Sequence, residues 1–148
     1  MIKILDNSDT QTSLLIFGVF QSSYRIEAEL LSVESFPPLS RTATDIQNAT
    51  TLFYGYYEND GLAAVAEITL SDQCVEIDSF TVSPSHFRKG IANKLLSYIL
   101  KKYESLQAIV ETAVANTPAI NLYKKHGFVE FKRWTPSHGI PKVAMRIA

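Results

Sequence analysis

The feature that most constrains this chain is a change of hydrophobic period at Pro84. Up to Val82 the residues read as an apolar strand. Beyond Ser85-His-Phe-Arg-Lys-Gly90 the apolar positions recur at about 3.6 residues, with Ala92, Leu95, Leu96, Ile99, Leu100 and Tyr103 on one stripe and Asn93, Lys94, Ser97 and Lys101 outside it. A strand therefore feeds an amphipathic helix through a basic turn containing glycine. The first N–H groups of such a helix have no intrahelical partner, and the positive end of its dipole points the same way. Arg88 and Lys89 add charge-assisted donors, and Gly90 lets the chain come close to a ligand that a Cβ would obstruct. This is a site for a phosphate. The plainer reading is an ordinary strand-to-helix turn with a solvated Arg-Lys pair.

Other segments follow from the same signals. Met1 to Asp6 predicts a short strand, and Ser8 or Asp9 caps a helix running to about Ser22. Tyr24 to Leu31 is rich in helix formers, and Phe36-Pro-Pro-Leu39 must break whatever precedes it. A short helix spans Thr42 to Asn48. Thr51 to Tyr57, Leu62 to Leu70 and Cys74 to Val82 are aromatic and β-branched runs separated by Glu-Asn-Asp-Gly61 and Ser-Asp-Gln73, which predicts an antiparallel meander. Leu106 to Ala113 reads as a buried strand. Thr117 then acts as N-cap with Pro118 at the first helical position, and Gly127 ends that helix. Two strands, Phe128 to Trp134 and Lys142 to Ile147, close the chain around a loop with Pro136, His138, Gly139 and Pro141. The pattern is an α+β fold of one domain over residues 1–148, with a mostly antiparallel central sheet of six to seven strands flanked by about four helices.

Composition excludes several classes of function. With a net charge of -1 there is no global field for gripping nucleic acid or anionic lipid. The longest apolar run, Leu14 to Phe20, is far short of the roughly 20 residues that span a bilayer. The single cysteine, Cys74, rules out an internal disulfide, and no signal peptide is apparent at the N-terminus, so the cytoplasm is the expected compartment. His86, His126 and His138 show no metal-ligand spacing, and no metal is expected. Exposed strand edges and aromatic surface are compatible with a homodimer.

Two motifs carry a resemblance. Phe87-Arg-Lys-Gly-Ile-Ala92 is similar to the pyrophosphate-binding signature of the GNAT superfamily of N-acetyltransferases: Gln or Arg, two variable residues, Gly, one variable residue, and Gly or Ala. Phe87 departs from the usual first residue, which concerns a side-chain contact and not the backbone amides. About thirty residues later, Asn116, Ala119, Tyr123 and Gly127-Phe128 match a second family pattern in order and spacing. The resemblance covers roughly Val75 to Phe128, and the N-terminal third matches in general layout only.

The resemblance implies that acetyl-CoA is the co-substrate and that its acetyl group passes directly to a primary amine of a small molecule or peptide. It implies cofactor contacts at Phe80, Thr81 and Val82 on the strand, at Phe87, Arg88, Lys89, Gly90, Ile91 and Ala92 in the turn, and at Asn116, Ala119 and Tyr123. It also implies that this strand splays from its neighbour, the fifth, and that an N–H within Phe80 to Val82 meets the oxyanion. Tyr123 is implied as the general acid for the departing thiolate, which suits a phenol of pKa near 10 against a thiol of about 8.5. Glu111 occupies the position of the general base in the ribosomal-protein N-acetyltransferases. Glu76, Asp78 or a water chain are the alternatives, and strand alternation puts Glu76 and Asp78 on one face with Phe80 and Val82. Tyr24, Glu27, Trp134 and His138, with Arg25 and Glu29 beside them, are the candidates for the acceptor pocket. A CoA-binding module without catalysis would lack Tyr123 and every base. A nucleotide-binding protein would show the P-loop or dinucleotide fingerprint, and neither is present.

Overall fold

The computed structural model describes residues 1–59 and 61–147; Asp60, within the expected turn after Tyr57, and Ala148 lie outside them. The elements are β1 (Ile2–Leu5), α1 (Thr10–Leu31), α2 (Ala43–Asn48), β2 (Leu52–Glu58), β3 (Gly61–Leu70), β4 (Cys74–Val82), α3 (Ile91–Lys102), β5 (Gln107–Ala113), α4 (Thr117–Lys125), β6 (Val129–Trp134) and β7 (Lys142–Ile147). The strands form one mixed sheet in the order β1-β2-β3-β4-β5-β7-β6, antiparallel everywhere except between β4 and β5. No described helix is long and apolar enough to cross a membrane.

Where the sequence suggests a helix ending near Ser22, α1 continues to Leu31, 22 residues in all. Asp9 caps it by accepting the Thr12 N–H at 2.9 Å. Ser22 does not break it, because its hydroxyl bonds back to the Gly18 carbonyl at 3.0 Å. The buried face Ile16, Val19, Phe20 and Ala28 continues at helical spacing across that point. Ser32, in the left-handed region at φ 55°, stops the helix before Phe36-Pro37.

Each face of the sheet carries its own core. On one, Leu95, Leu96 and Ile99 of α3 and Tyr123 of α4 pack on Ala64, Ala66, Ile68, Val75 and Ile77. On the other, α1 sets Ile16, Val19 and Phe20 against Phe53 and Val65. Burying a large aliphatic side chain contributes about 1.5–3 kcal/mol, so these two layers fix the helices to the strands between them.

One charged residue sits inside this frame. Glu67, in the middle of β3, is 3% exposed. Its carboxylate accepts two hydrogen bonds from Arg41, at 2.6 and 2.9 Å, one from Thr51 at 2.6 Å and one from Ser79 at 2.9 Å. Burial opposes its charge, and the Arg41 and Thr51 bonds outweigh it, holding Glu67 below the usual carboxylate range. Glu67→Gln would leave Arg41 without its counter-charge and is expected to destabilise the fold by roughly 3 kcal/mol, read as a lowered urea midpoint at unchanged m-value. Because the folded pKa is the lower one, this contribution is complete above the ordinary value of 4.5 and is lost as pH falls through the depressed folded pKa. The gap between wild type and variant should therefore close in acid.

Candidate active site

The site begins where β4 and β5 stop pairing. Their parallel ladder joins Cys74–Ile77 to Gln107–Val110 and ends there, although both strands continue. At the same point β4 carries a β-bulge: Glu67 pairs with Ser79 while Ile68 pairs with Ile77, so Asp78 is the extra residue. The bulge reverses the alternation. Phe80 and Val82 lie against the same core as Val75 and Ile77, which corrects the expectation that they share a face with Glu76 and Asp78.

Beyond the bulge the main chain of β4 is open on one side. The Ser83 N–H donates to the Ala63 carbonyl at 2.8 Å, and with Val82 opposite Ala64 this makes Thr81 and Val65 the next hydrogen-bonded pair. The Thr81 N–H is thus spent on β3, and its buried hydroxyl bonds the Val65 carbonyl at 3.3 Å. Phe80 and Val82 direct their N–H groups the other way, into the gap left by β5.

A cavity of about 240 Å³ fills this gap, reached by Tyr24 and Glu27 from α1, Asp78 and Phe80 from β4, Glu111 from β5 and Tyr123 from α4. Tyr123 is 4% exposed and packs edge-on to Phe80 and Phe128, at centroid distances of 6.4 and 5.5 Å. Its hydroxyl donates to no described residue, yet no buried side-chain polar atom is unsatisfied, so the oxygen opens onto the cavity. Burial, then the charges of Tyr24 and Glu27, push the phenol well above its usual pKa of 10. Tyr24, wedged between Phe20 and Phe36, is pushed up to about 12 by burial, partly offset by Ser79. Burial also raises Glu27, against hydrogen bonding from Asn116 and the charge of Lys142.

A second opening lies at the start of α3. Among the described residues, no main-chain N–H from Arg88 to Asn93 donates to a protein acceptor, and Gly90, the N-cap, makes no side-chain cap. Arg88 and Gly90 are left-handed, at φ 63° and 75°. Left-handed residues alternating with an ordinary one turn successive N–H groups into one concavity, a ready anion cradle. Phe87, Arg88, Lys89 and Gly90 are exposed. A Cβ on Gly90 would meet nothing within 4 Å, so φ, rather than crowding by protein, is what demands glycine there.

Residues 19–128 match the sequence pattern of the acetyltransferase (GNAT) family. The chain belongs to the GNAT acetyltransferases. It is 30% identical to the UPF0157 protein YqkA of Bacillus subtilis (strain 168) over 95% of its length, but spans only 41% of that protein. It is 26% identical to the streptothricin acetyltransferase of Escherichia coli, over 85% of this chain and 76% of that one. In fold it is similar to the ribosomal-protein-S18-alanine N-acetyltransferase of Escherichia coli (TM-score 0.77, 19% identity, 99% and 92% of the two chains). It is also similar to the PaiA N-acetyltransferase of Thermoplasma acidophilum in complex with coenzyme A (TM-score 0.72, 16% identity, 99% of both).

Of the residues singled out from the sequence, this GNAT fold brings Tyr123, Glu111, Phe80, Asn116, Ala119, Tyr24, Glu27 and His138 to one cavity. Ile91 is buried under the α3 turn and Ala92 is half-buried. Asn116 departs from expectation, because it, not Thr117, is the N-cap of α4: its Oδ1 accepts the Ala119 N–H at 3.2 Å. A short polar side chain one residue earlier serves as cap, and Pro118, lacking an N–H, then sits harmlessly in the first turn. Trp134 is not in the cavity. It closes β6 at the sheet edge, opposite Lys142, with the Lys132 ammonium 4.8 Å from its ring centroid. Glu76, Arg25 and Glu29 are exposed and do not line the cavity either. Cys74 is half-buried with a thiol pKa raised by burial, which suits an inert residue.

The polar group missed from sequence is Glu67 with Arg41 and Ser79, which secures β4 at the bulge beside Tyr24. Its only trace is a single charge inside the apolar run Leu62 to Leu70. The cradle yields a prediction: Gly90→Ala adds about 1–2 kcal/mol of left-handed strain and should weaken coenzyme A binding, seen as a lower melting temperature and a larger Kd by calorimetry.

Proposed function

We propose that the protein transfers the acetyl group of acetyl-CoA directly to a primary amine of a small molecule or peptide, in a ternary complex without a covalent enzyme intermediate. The observation that carries this reading is the conjunction of an unpaired amide cradle at Arg88–Asn93 with a cavity holding the free Tyr123 hydroxyl and the Glu111 carboxylate. The cradle suits the diphosphate of the coenzyme, and the open edge of β4 suits its pantetheine arm, added like another strand.

In the proposed step the amine, having given a proton to Glu111 or to water held by it, forms a bond from nitrogen to the acetyl carbon. The oxygen of that carbon gains charge and is met by the Phe80 or Val82 N–H; one such donor supplies roughly 2.7–4 kcal/mol in enzymes that use it. The carbon–sulfur bond breaks, the thiolate takes the Tyr123 proton, and the nitrogen gives up its second proton to water or to the Tyr123 phenolate, which leaves a neutral amide and restores the acid. Burial raises the phenol, but it raises the thiol of a departing coenzyme in the same dry site as well, so the two stay matched. The elevated Tyr123 pKa also keeps the acid protonated throughout the neutral range.

Acetyl-CoA turnover with a panel of amines, followed as CoA release, tests the reading. Tyr123→Phe should lower kcat by roughly 100- to 10,000-fold while the Kd of acetyl-CoA changes little. Glu111→Gln should lower kcat while the Kd of acetyl-CoA changes little. A Tyr123→Phe enzyme with normal turnover and lost coenzyme affinity would refute the acid role.

A further inference from the structure

Three carboxylates, Glu27, Asp78 and Glu111, face the cavity, and their surroundings differ. Burial raises Glu27, and hydrogen bonding from Asn116 and the charge of Lys142 offset part of that. Glu111, in the reading above, takes up the amine proton and so is neutralised in the course of the reaction. Asp78 differs in lying among other carboxylates. Among the described residues its hydrogen bond comes from the Thr69 hydroxyl. Glu67 and Glu76 repel its charge, and Arg41, whose charge favours it, is already bound to Glu67. Asp78 is exposed where it lines the cavity, and a carboxylate set there among like charges attracts a cation.

Tyr123 independently marks the cavity as shaped for an occupant. A phenol 4% exposed, with no partner for its hydroxyl among the described residues, is the kind of group that native structures pair, and Tyr123 lines the cavity. The register also puts Asp78 close to Glu111. Ile77 and Val110 are the last paired residues of β4 and β5, so Asp78 and Glu111 follow on neighbouring strands, which lie about 4.8 Å apart where pairing ends.

We propose that the acceptor carries at least two positive charges: one amine receives the acetyl group beside Glu111 and Tyr123, and a second cationic group, charged throughout, is held by Asp78. The inference rests on the acetyl-transfer reading and narrows its substrate class to short diamines or larger molecules containing that unit. Asp78 is then a specificity-determining residue that takes no part in proton transfer.

The test uses acceptors of equal length that differ only in the second group: 1,4-diaminobutane, butylamine and 4-aminobutanoate, with the three- and five-carbon series beside them. The kcat/KM for the diamine should exceed that for the monoamine by about 10- to 100-fold, the range for one charge-assisted contact, and 4-aminobutanoate should be the poorest. Asp78→Asn, checked for folding by its melting temperature, should collapse the diamine-to-monoamine ratio toward one, chiefly through the diamine KM, and Asp78→Glu should restore part of it. Glu111→Gln should lower kcat for both acceptors and leave the ratio in place. Equal use of diamine and monoamine by the wild type, or an unchanged ratio in Asp78→Asn, overturns this inference and leaves acetyl transfer standing. Release of no CoA with any amine overturns the acetyl-transfer reading, and this inference with it.

Discussion

The interrupted ladder between β4 and β5 is the constraint on which the rest of the structure depends. Two parallel strands share hydrogen bonds as far as Ile77 and Val110 and then part, leaving main-chain donors on β4 with no acceptor on β5. A sheet does not give up such bonds without compensation, since each unpaired main-chain group away from water is costly. The two cores supply it: α3 and α4 bind one face and α1 the other, so the strands stay in place after their mutual bonds end. The gap is therefore a stable cleft rather than a frayed edge. Its open donors, the Tyr123 hydroxyl and the carboxylates beside it are all consequences of the same parting.

The bulge at Asp78 decides what faces that cleft. By adding one residue it turns Phe80 and Val82 onto the α3 side, where Phe80 meets Tyr123, and leaves Asp78 at the head of the split. Glu67 anchors it. Its four hydrogen bonds tie the segment before α2, the start of β2 and the strand just past the bulge into one buried polar cluster. Fully satisfied clusters of this kind impose one arrangement, because any displacement leaves a charge without its partner. The chemistry of the cleft and the rigidity of its wall thus share a residue that no functional motif contains.

Much of this was legible in the linear chain. Local rules suffice for elements whose ends are written locally: Gly127 after α4 and the glycine turn before α3 are features of a few neighbouring residues. The same rules misjudge α1, because Ser22 looks like a stop until its hydroxyl is seen bonded to Gly18 within a helix whose buried face continues past it. They also misjudge Trp134, since aromatic character in a late loop says nothing of which side of the edge strand it occupies.

What the sequence by itself determined is the order of elements, the basic turn with its free amides, and the pairing of Asn116 with Tyr123 on one helix. These depend on period, capping and spacing, all of which act over a few residues. Only the tertiary structure decided which carboxylates look into the cleft. That choice turns on a single extra residue in the β3–β4 register and on a charge pair between Arg41 and Glu67, 26 positions apart. A one-residue slip exchanges the two faces of a strand, and nothing within β4 itself records it, because the bulge is defined by the partner strand.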